Sequence, residues 1–82
     1  MIEQKKPDQV ECYAGAGSPE EPRMVWWAGK RYQVIEIIDR RRDPEGLEFL
    51  VICSPGNALF DLYYLFETES WRIQSKGIAP KS

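Results

Sequence analysis

Residues 31–42 read RYQVIEIIDRRR, and the fold turns on this stretch. It is free of Gly and Pro and dense in β-branched and aromatic residues (Tyr32, Val34, Ile35, Ile37, Ile38). Such side chains suit a pleated, buried surface. Apolar residues on both parities predict a central strand covered on both faces. Upstream, RMVWW over 23–27 predicts a strand, and Gly29 supplies the positive φ of a tight turn between the two. The turn can centre on Ala28 and Gly29 or on Gly29 and Lys30. That choice leaves the faces of Trp26 and Trp27 open.

Downstream, residues 43–46 (DPEG) are a turn by composition. LEFLVICS over 47–54 is a second near-continuous apolar strand, and 55–57 (PGN) a second tight turn. ALFDLYYLF (58–66), a polar turn over 67–70 and WRIQ (71–74) complete the pattern. A helix from Phe60 to Trp71 is the rival assignment for this last part, but the aromatics and flanking turn residues favour strands. Upstream of all this, 1–9 is a polar arm, VECY (10–13) a short alternating run with an edge strand as one reading, and 14–22 (AGAGSPEEP) a loop. No helix follows Gly15 and Gly17, so they do not read as a phosphate loop.

Turns centred on Gly56 and Asn57 and over 67–70 set Cys53 opposite Phe60, Val51 opposite Leu62, and Phe49 opposite Tyr64. They also set Phe66 opposite Trp71 and Tyr64 opposite Ile73. These residues then share one face and form the expected core, with Tyr32, Val34 and Ile38 able to join. Glu36 shares their parity, so a bulge near 35–37 is expected. The opposite face carries Ile35, Ile37, Leu50, Ile52, Leu59, Tyr63 and Leu65, with Asp39 and Asp61 between them. That is more apolar surface than a monomer ordinarily exposes. A curl of the sheet, the N-terminal segment with Val10 and Tyr13, or a second subunit are the candidates to cover it.

At 82 residues the chain reads as one domain, burying about 60–65% of its unfolded surface. The formal net charge of −2 argues against a dedicated nucleic-acid binder. No apolar run is long enough to span a membrane, and the first ten residues lack a secretory h-region, so the expected compartment is the cytoplasm.

The inventory for chemistry is poor. There is no histidine, which rules out Ser-His-Asp and Cys-His arrangements. Cys12 and Cys53 are 41 positions apart, outside any CxxC, and read as free, apolar thiols. Asp39 and Asp61 facing each other across the back of the sheet would be the one carboxylate pair to weigh, against a rim position or pairing with Arg72. The expectation is no enzyme, no cofactor and no metal. Arg40, Arg41 and Arg42 are the sharpest charge feature. They could hold phosphates with Trp26 or Trp27 as stacking platforms. Alternation sends Arg41 to the face opposite Arg40 and Arg42, and Lys30 and Arg31 lie roughly 30 Å away along the strand. Solubilising charges at a strand end are the plainer reading.

The order VECYAG, a Pro-rich break, EPRMVWWAGKRYQVIEIIDR and LYYLFETESWRI resembles short bacterial proteins of unknown function. The shared pattern is a W-x-G-[KR]-R-[YF] hairpin, a V-x-E-[IV]-x-[DR]-R strand and a closing aromatic strand, turn and Trp. It covers about residues 10–74. It is similar to a small domain of unknown function appended to polymerase-like DNA-repair proteins. This chain departs from the pattern at residues 54–57 and in its more apolar 59–66. The resemblance implies a fold and, by analogy alone, a nucleic-acid context.

The reading is thus an all-β domain: an antiparallel, twisted five-stranded meander or small half-open barrel over 23–75. A loose arm and loop precede it (1–22) and a tail follows (76–82). The expected function is a non-enzymatic protein-interaction or self-associating module, a homodimer or a partner of another protein, acting through Ile35, Ile37, Leu50, Ile52, Tyr63 and Leu65. The alternative is a nucleic-acid-contacting accessory domain using Arg40, Arg41, Arg42, Trp26 and Trp27.

Overall fold

The computed structural model describes residues 8–12 and 21–80. Six strands follow one another: β1 (Gln9–Cys12), β2 (Pro22–Trp27), β3 (Lys30–Asp43), β4 (Gly46–Ser54), β5 (Ala58–Leu65) and β6 (Ser70–Ile78). Each pairs antiparallel with the next in one sheet of order β1-β2-β3-β4-β5-β6. The sheet curls into a half-barrel that brings β1 against β6. The expected five-stranded meander therefore has a sixth strand. Four residues of the presumed loose arm pair with β2, Val10 opposite Val25. They do so because Val10 packs against the core. β6 also continues to Ile78, three residues into the stretch read as a tail, and the Ala79 amide donates to the Asn57 carbonyl at 2.8 Å.

The turns explain the registers. Ala28 (φ 53°) and Gly29 (φ 78°) both take the left-handed region, which settles a two-residue hairpin with Trp27 opposite Lys30. The β4–β5 turn is wider than its sequence suggests: Cys53 pairs with Ala58, Val51 with Phe60 and Phe49 with Leu62. Pro55 has no N–H to contribute to a ladder, so a tight turn with Pro55 paired is excluded, and the connection from β4 to β5 is 55–57, with Ser54 paired only to Gln33 of β3. The last loop is 66–69, with Tyr64 opposite Trp71 and Leu62 opposite Ile73. Here the Phe66 amide is held by the Glu45 carbonyl at 2.9 Å, and Glu69 takes a left-handed φ of 52°. Both registers differ from the expected ones by two residues. Since side chains alternate, a shift of two leaves every residue on its expected face.

The core lies on the concave face. Val25, Phe49, Val51, Cys53, Phe60 and Leu62 are buried there. Phe60 is met edge-on by Trp27 (5.6 Å between centroids) and Tyr32 (5.1 Å). At the other end Trp71 lies 6.1 Å from Phe49 and 5.1 Å from Tyr64. Such pairs contribute about 0.5–1.5 kcal/mol beyond the area they bury.

β3 departs most from expectation. It was expected to be covered on both faces, yet it is largely exposed. Two bulges interrupt its ladder with β4, between Val34 and Glu36 and between Ile37 and Asp39. A bulge adds one residue and reverses the parity beyond it. The first sends Ile37 to the concave face, opposite Val51 and against the core. Ile38, expected in the core, is 47% exposed, and Ile35 is 56% exposed.

Candidate functional site

The register assembles the convex face row by row. Arg41, Glu48, Tyr63 and Arg72 lie side by side across β3 to β6. The next row is Asp39, Leu50, Asp61 and Gln74, and beyond it Glu36, Ile52 and Leu59. Among the described residues no element lies over these rows, because they form one sheet whose curl closes only the concave side. Neither the curl nor Val10, which packs on the concave core, covers the face. Tyr13 lies outside the described residues.

Of the expected interface residues, Leu50, Ile52, Tyr63 and Leu65 share this face and are half-buried. Ile37 is withdrawn into the core, and Ile35 stands exposed at a bulge. The face is more polar than the sequence implied, because the first bulge brings Glu36 onto it and takes Ile37 off, while Asp39 and Arg41 keep the side that alternation gives them. A periodicity of two read without interruption cannot register that exchange.

The acids at its centre are linked. Asp39 and Asp61 flank Leu50 on the same side of the sheet. Asp61 Oδ1 is buried without a hydrogen-bond partner. A hydrogen bond with Asp61, then burial and the negative charge of Asp61, raise the proton affinity of Glu48 above the ordinary carboxylate range, while Arg41 opposes the rise. Among the described residues, no group of three or more acidic or thiol side chains has the geometry to hold a metal ion.

At the end of the β3–β4 hairpin, Asp43 Oδ1 accepts the amides of Glu45 and Gly46 at 2.8 Å. The Tyr63 hydroxyl donates to both carboxylate oxygens, at 3.0 and 3.1 Å. The Glu45 amide is the main cause of a lowered Asp43 pKa. The Tyr63 phenol is raised, first by burial and then by Asp43.

The arginines are split as alternation requires. Arg40 and Arg42 stand opposite Phe49 and Leu47, on the concave side, and Arg41 opposite Glu48. Arg40 Nη2 meets Glu21 Oε2 at 2.6 Å, and Arg41 Nε meets Asp39 Oδ2 at 3.1 Å. Arg42 lies over the Phe66 ring, 5.8 Å from its centroid, and Phe66 is 6.1 Å from Tyr64. Trp26 and Trp27 pair with Arg31 and Lys30 at the other end of β3, so they are not platforms for the arginines. Trp26 Nε1 donates to Glu11 on the neighbouring β1. The aromatic neighbours of Arg42 come from β5, its following turn and β6, a proximity that only the meander creates.

Burial raises both thiols, Cys12 and Cys53, to about 11. No helix among the described residues is long and apolar enough to cross a membrane. No family model, curated protein or solved structure matches this chain.

Proposed function

We propose that the chain is a non-enzymatic protein-interaction module that works by self-association. The observation that carries this reading is the one-layer build. Ile35 and Ile38 are exposed, and Leu50, Ile52, Leu59 and Leu65 on the convex face have no layer over them among the described residues. Apolar surface left in water favours association by roughly 25 cal/mol per Å² removed from solvent. Two-fold pairing is the commonest way for one chain to remove it. The absence of histidine from the sequence and the thiols held protonated by burial favour a non-enzymatic role.

Light scattering over a dilution series tests the reading. The expected result is a species of twice the 9.5 kDa chain mass that dissociates only on dilution. A monomer at every concentration would refute self-association.

A second reading, contact with single-stranded nucleic acid, draws on Arg42 stacked over Phe66 beside Tyr64 and Trp71. Carboxylates already engage Arg40 and Arg41, which weighs against it. Titrating oligonucleotides while following tryptophan fluorescence tests it. Binding that Arg42→Glu abolishes would support this reading over the first.

A further inference from the structure

We infer that two copies of the chain join edge to edge, β3 beside β3 in antiparallel orientation, forming one continuous sheet across a two-fold axis near Ile38 and Asp39. This rests on the self-association proposed above and names its geometry.

The free edge is the first observation. β2 pairs only with residues 30–33 of β3, ending at Met24 opposite Gln33. β4 continues along the other side of β3 to Asp43. From Val34 onward, no strand among the described residues pairs with the β2 side of β3. At about 3.3 Å per residue, residues 34–43 present roughly 30 Å of edge. Beyond Met24 and Gln33 the two strands part around a groove of about 370 Å³, lined by Pro22, Met24, Val34, Ile35 and Glu36. Glu21 reaches across this groove to Arg40, and apart from that bridge the edge has no strand beside it among the described residues where the β2 ladder stops.

The exposed side chains are the second. Ile35 and Ile38, two of the three large apolar residues that stand exposed among the described residues, both lie on this stretch at its bulges. A neighbouring strand would remove part of each isoleucine from water.

Charge is the third, and it selects a second copy as the occupant. The stretch carries acids first (Glu36, Asp39) and bases after (Arg40, Arg41, Arg42). Laid antiparallel on itself about an axis between Ile38 and Asp39, it sets Glu36 of each chain opposite Arg41 of the other, once on each side of the axis, while Asp39 falls opposite Ile38 and Asp43 opposite Val34. Laid parallel and in register, it sets like against like. Opposite charges across strands favour pairing and like charges oppose it. Bulges and edge charges commonly keep a strand from pairing. In this strand their order makes the charges complementary to an antiparallel copy.

The test uses two full-length variants, Glu36→Arg with Asp39→Arg, and Arg41→Glu with Arg42→Glu. Circular dichroism first checks that each is folded. In sedimentation equilibrium each should dimerise at least tenfold more weakly than the parent, and an equimolar mixture should recover a mixed dimer. Ile38→Cys should form an intermolecular disulfide under mild oxidation, and Ile52→Cys on the convex face should not. A dimer indifferent to both reversals, or cross-linked through residue 52 and not 38, would overturn the edge geometry and leave self-association standing. A parent chain that stays monomeric would overturn both.

Discussion

Gly46→Ala gives the most direct measure of how tightly this sheet is built. Gly46 is buried at the start of β4, opposite Leu65. It is absent from the positive-φ residues, so alanine meets no backbone penalty there. The obstacle is space. A Cβ at this position would lie 2.1 Å from the Tyr64 carbonyl oxygen and 3.0 Å from Tyr63 Cζ. Ordinary carbon–oxygen contacts between strands are about 3.3–3.6 Å, so β4 must move off β5 by more than about 1 Å. The carbonyl belongs to the backbone and cannot rotate away. The move strains the 2.9 Å bond from the Phe66 amide to Glu45 and the 2.8 Å bond from the Gly46 amide to Asp43. Overpacking costs about 1–3 kcal/mol, and each hydrogen bond lost about 1 more. The expected total is roughly 3–5 kcal/mol, against roughly 4–12 kcal/mol for a domain of this length.

Urea unfolding followed by tryptophan fluorescence is the assay. With a slope of about 1–1.5 kcal/mol per M, the midpoint should fall by roughly 2–5 M. Gly56→Ala is the contrast. Nothing lies within 4 Å of its Cβ position, but its φ of +83° makes alanine strained. It should cost only about 1–2 kcal/mol. If Gly46→Ala unfolds within 0.5 M of the parent, or is milder than Gly56→Ala, the close approach of β4 to β5 is wrong.

Other predictions concern protons and thiols. Asp43 binds its proton less tightly folded than unfolded. Its contribution is complete above the ordinary carboxylate pKa of about 4 and is lost as pH falls through its lowered value. Urea midpoints between about pH 5 and pH 2 should fall less steeply in Asp43→Asn, and parallel curves would contradict the assignment. Glu48 has the opposite sign. Its folded form holds the proton more tightly, so its contribution is complete below the ordinary carboxylate pKa and declines as pH rises through the raised value. Glu48→Gln should therefore stabilise the protein at pH 7 by up to about 1 kcal/mol and flatten that decline. A destabilised Glu48→Gln would show that Glu48 and Asp61 do not oppose each other. Cys53, fully buried with a thiol raised to about 11, should react with a thiol reagent at pH 8 only as fast as the protein unfolds. Labelling within seconds in buffer would mean that the concave core is open.

The convex face and the β3 edge differ in how much of them was legible in the chain. Leu50, Ile52, Tyr63 and Leu65 were placed on one face from alternation alone, and the structure keeps them there. They lie on β4 and β5, whose mutual ladder runs without a shift from Gly46 to Cys53. Ile37 and Ile38 were misassigned because β3 is bulged twice: the bulge expected near 35–37 is there, between Val34 and Glu36, but the second, between Ile37 and Asp39, leaves no mark in a count of two. Glu36 was the one local hint, a charge on a parity otherwise meant for the core. β1 was weakly marked, because four residues carry too little pattern. It is held by pairing with β2 and by the core contact of Val10.

By itself the sequence determined the strand type, the order of β2 to β6 and the inward set Phe49, Val51, Cys53, Phe60 and Leu62. Alternation and turn residues are local properties that survive a two-residue slip in register. Only the tertiary structure decided which stretch of β3 pairs with no strand on its β2 side among the described residues. It also decided which isoleucines face water and which rings stand beside Arg42. Each of these depends on where a partner strand ends or bulges, and so on residues far away in the chain.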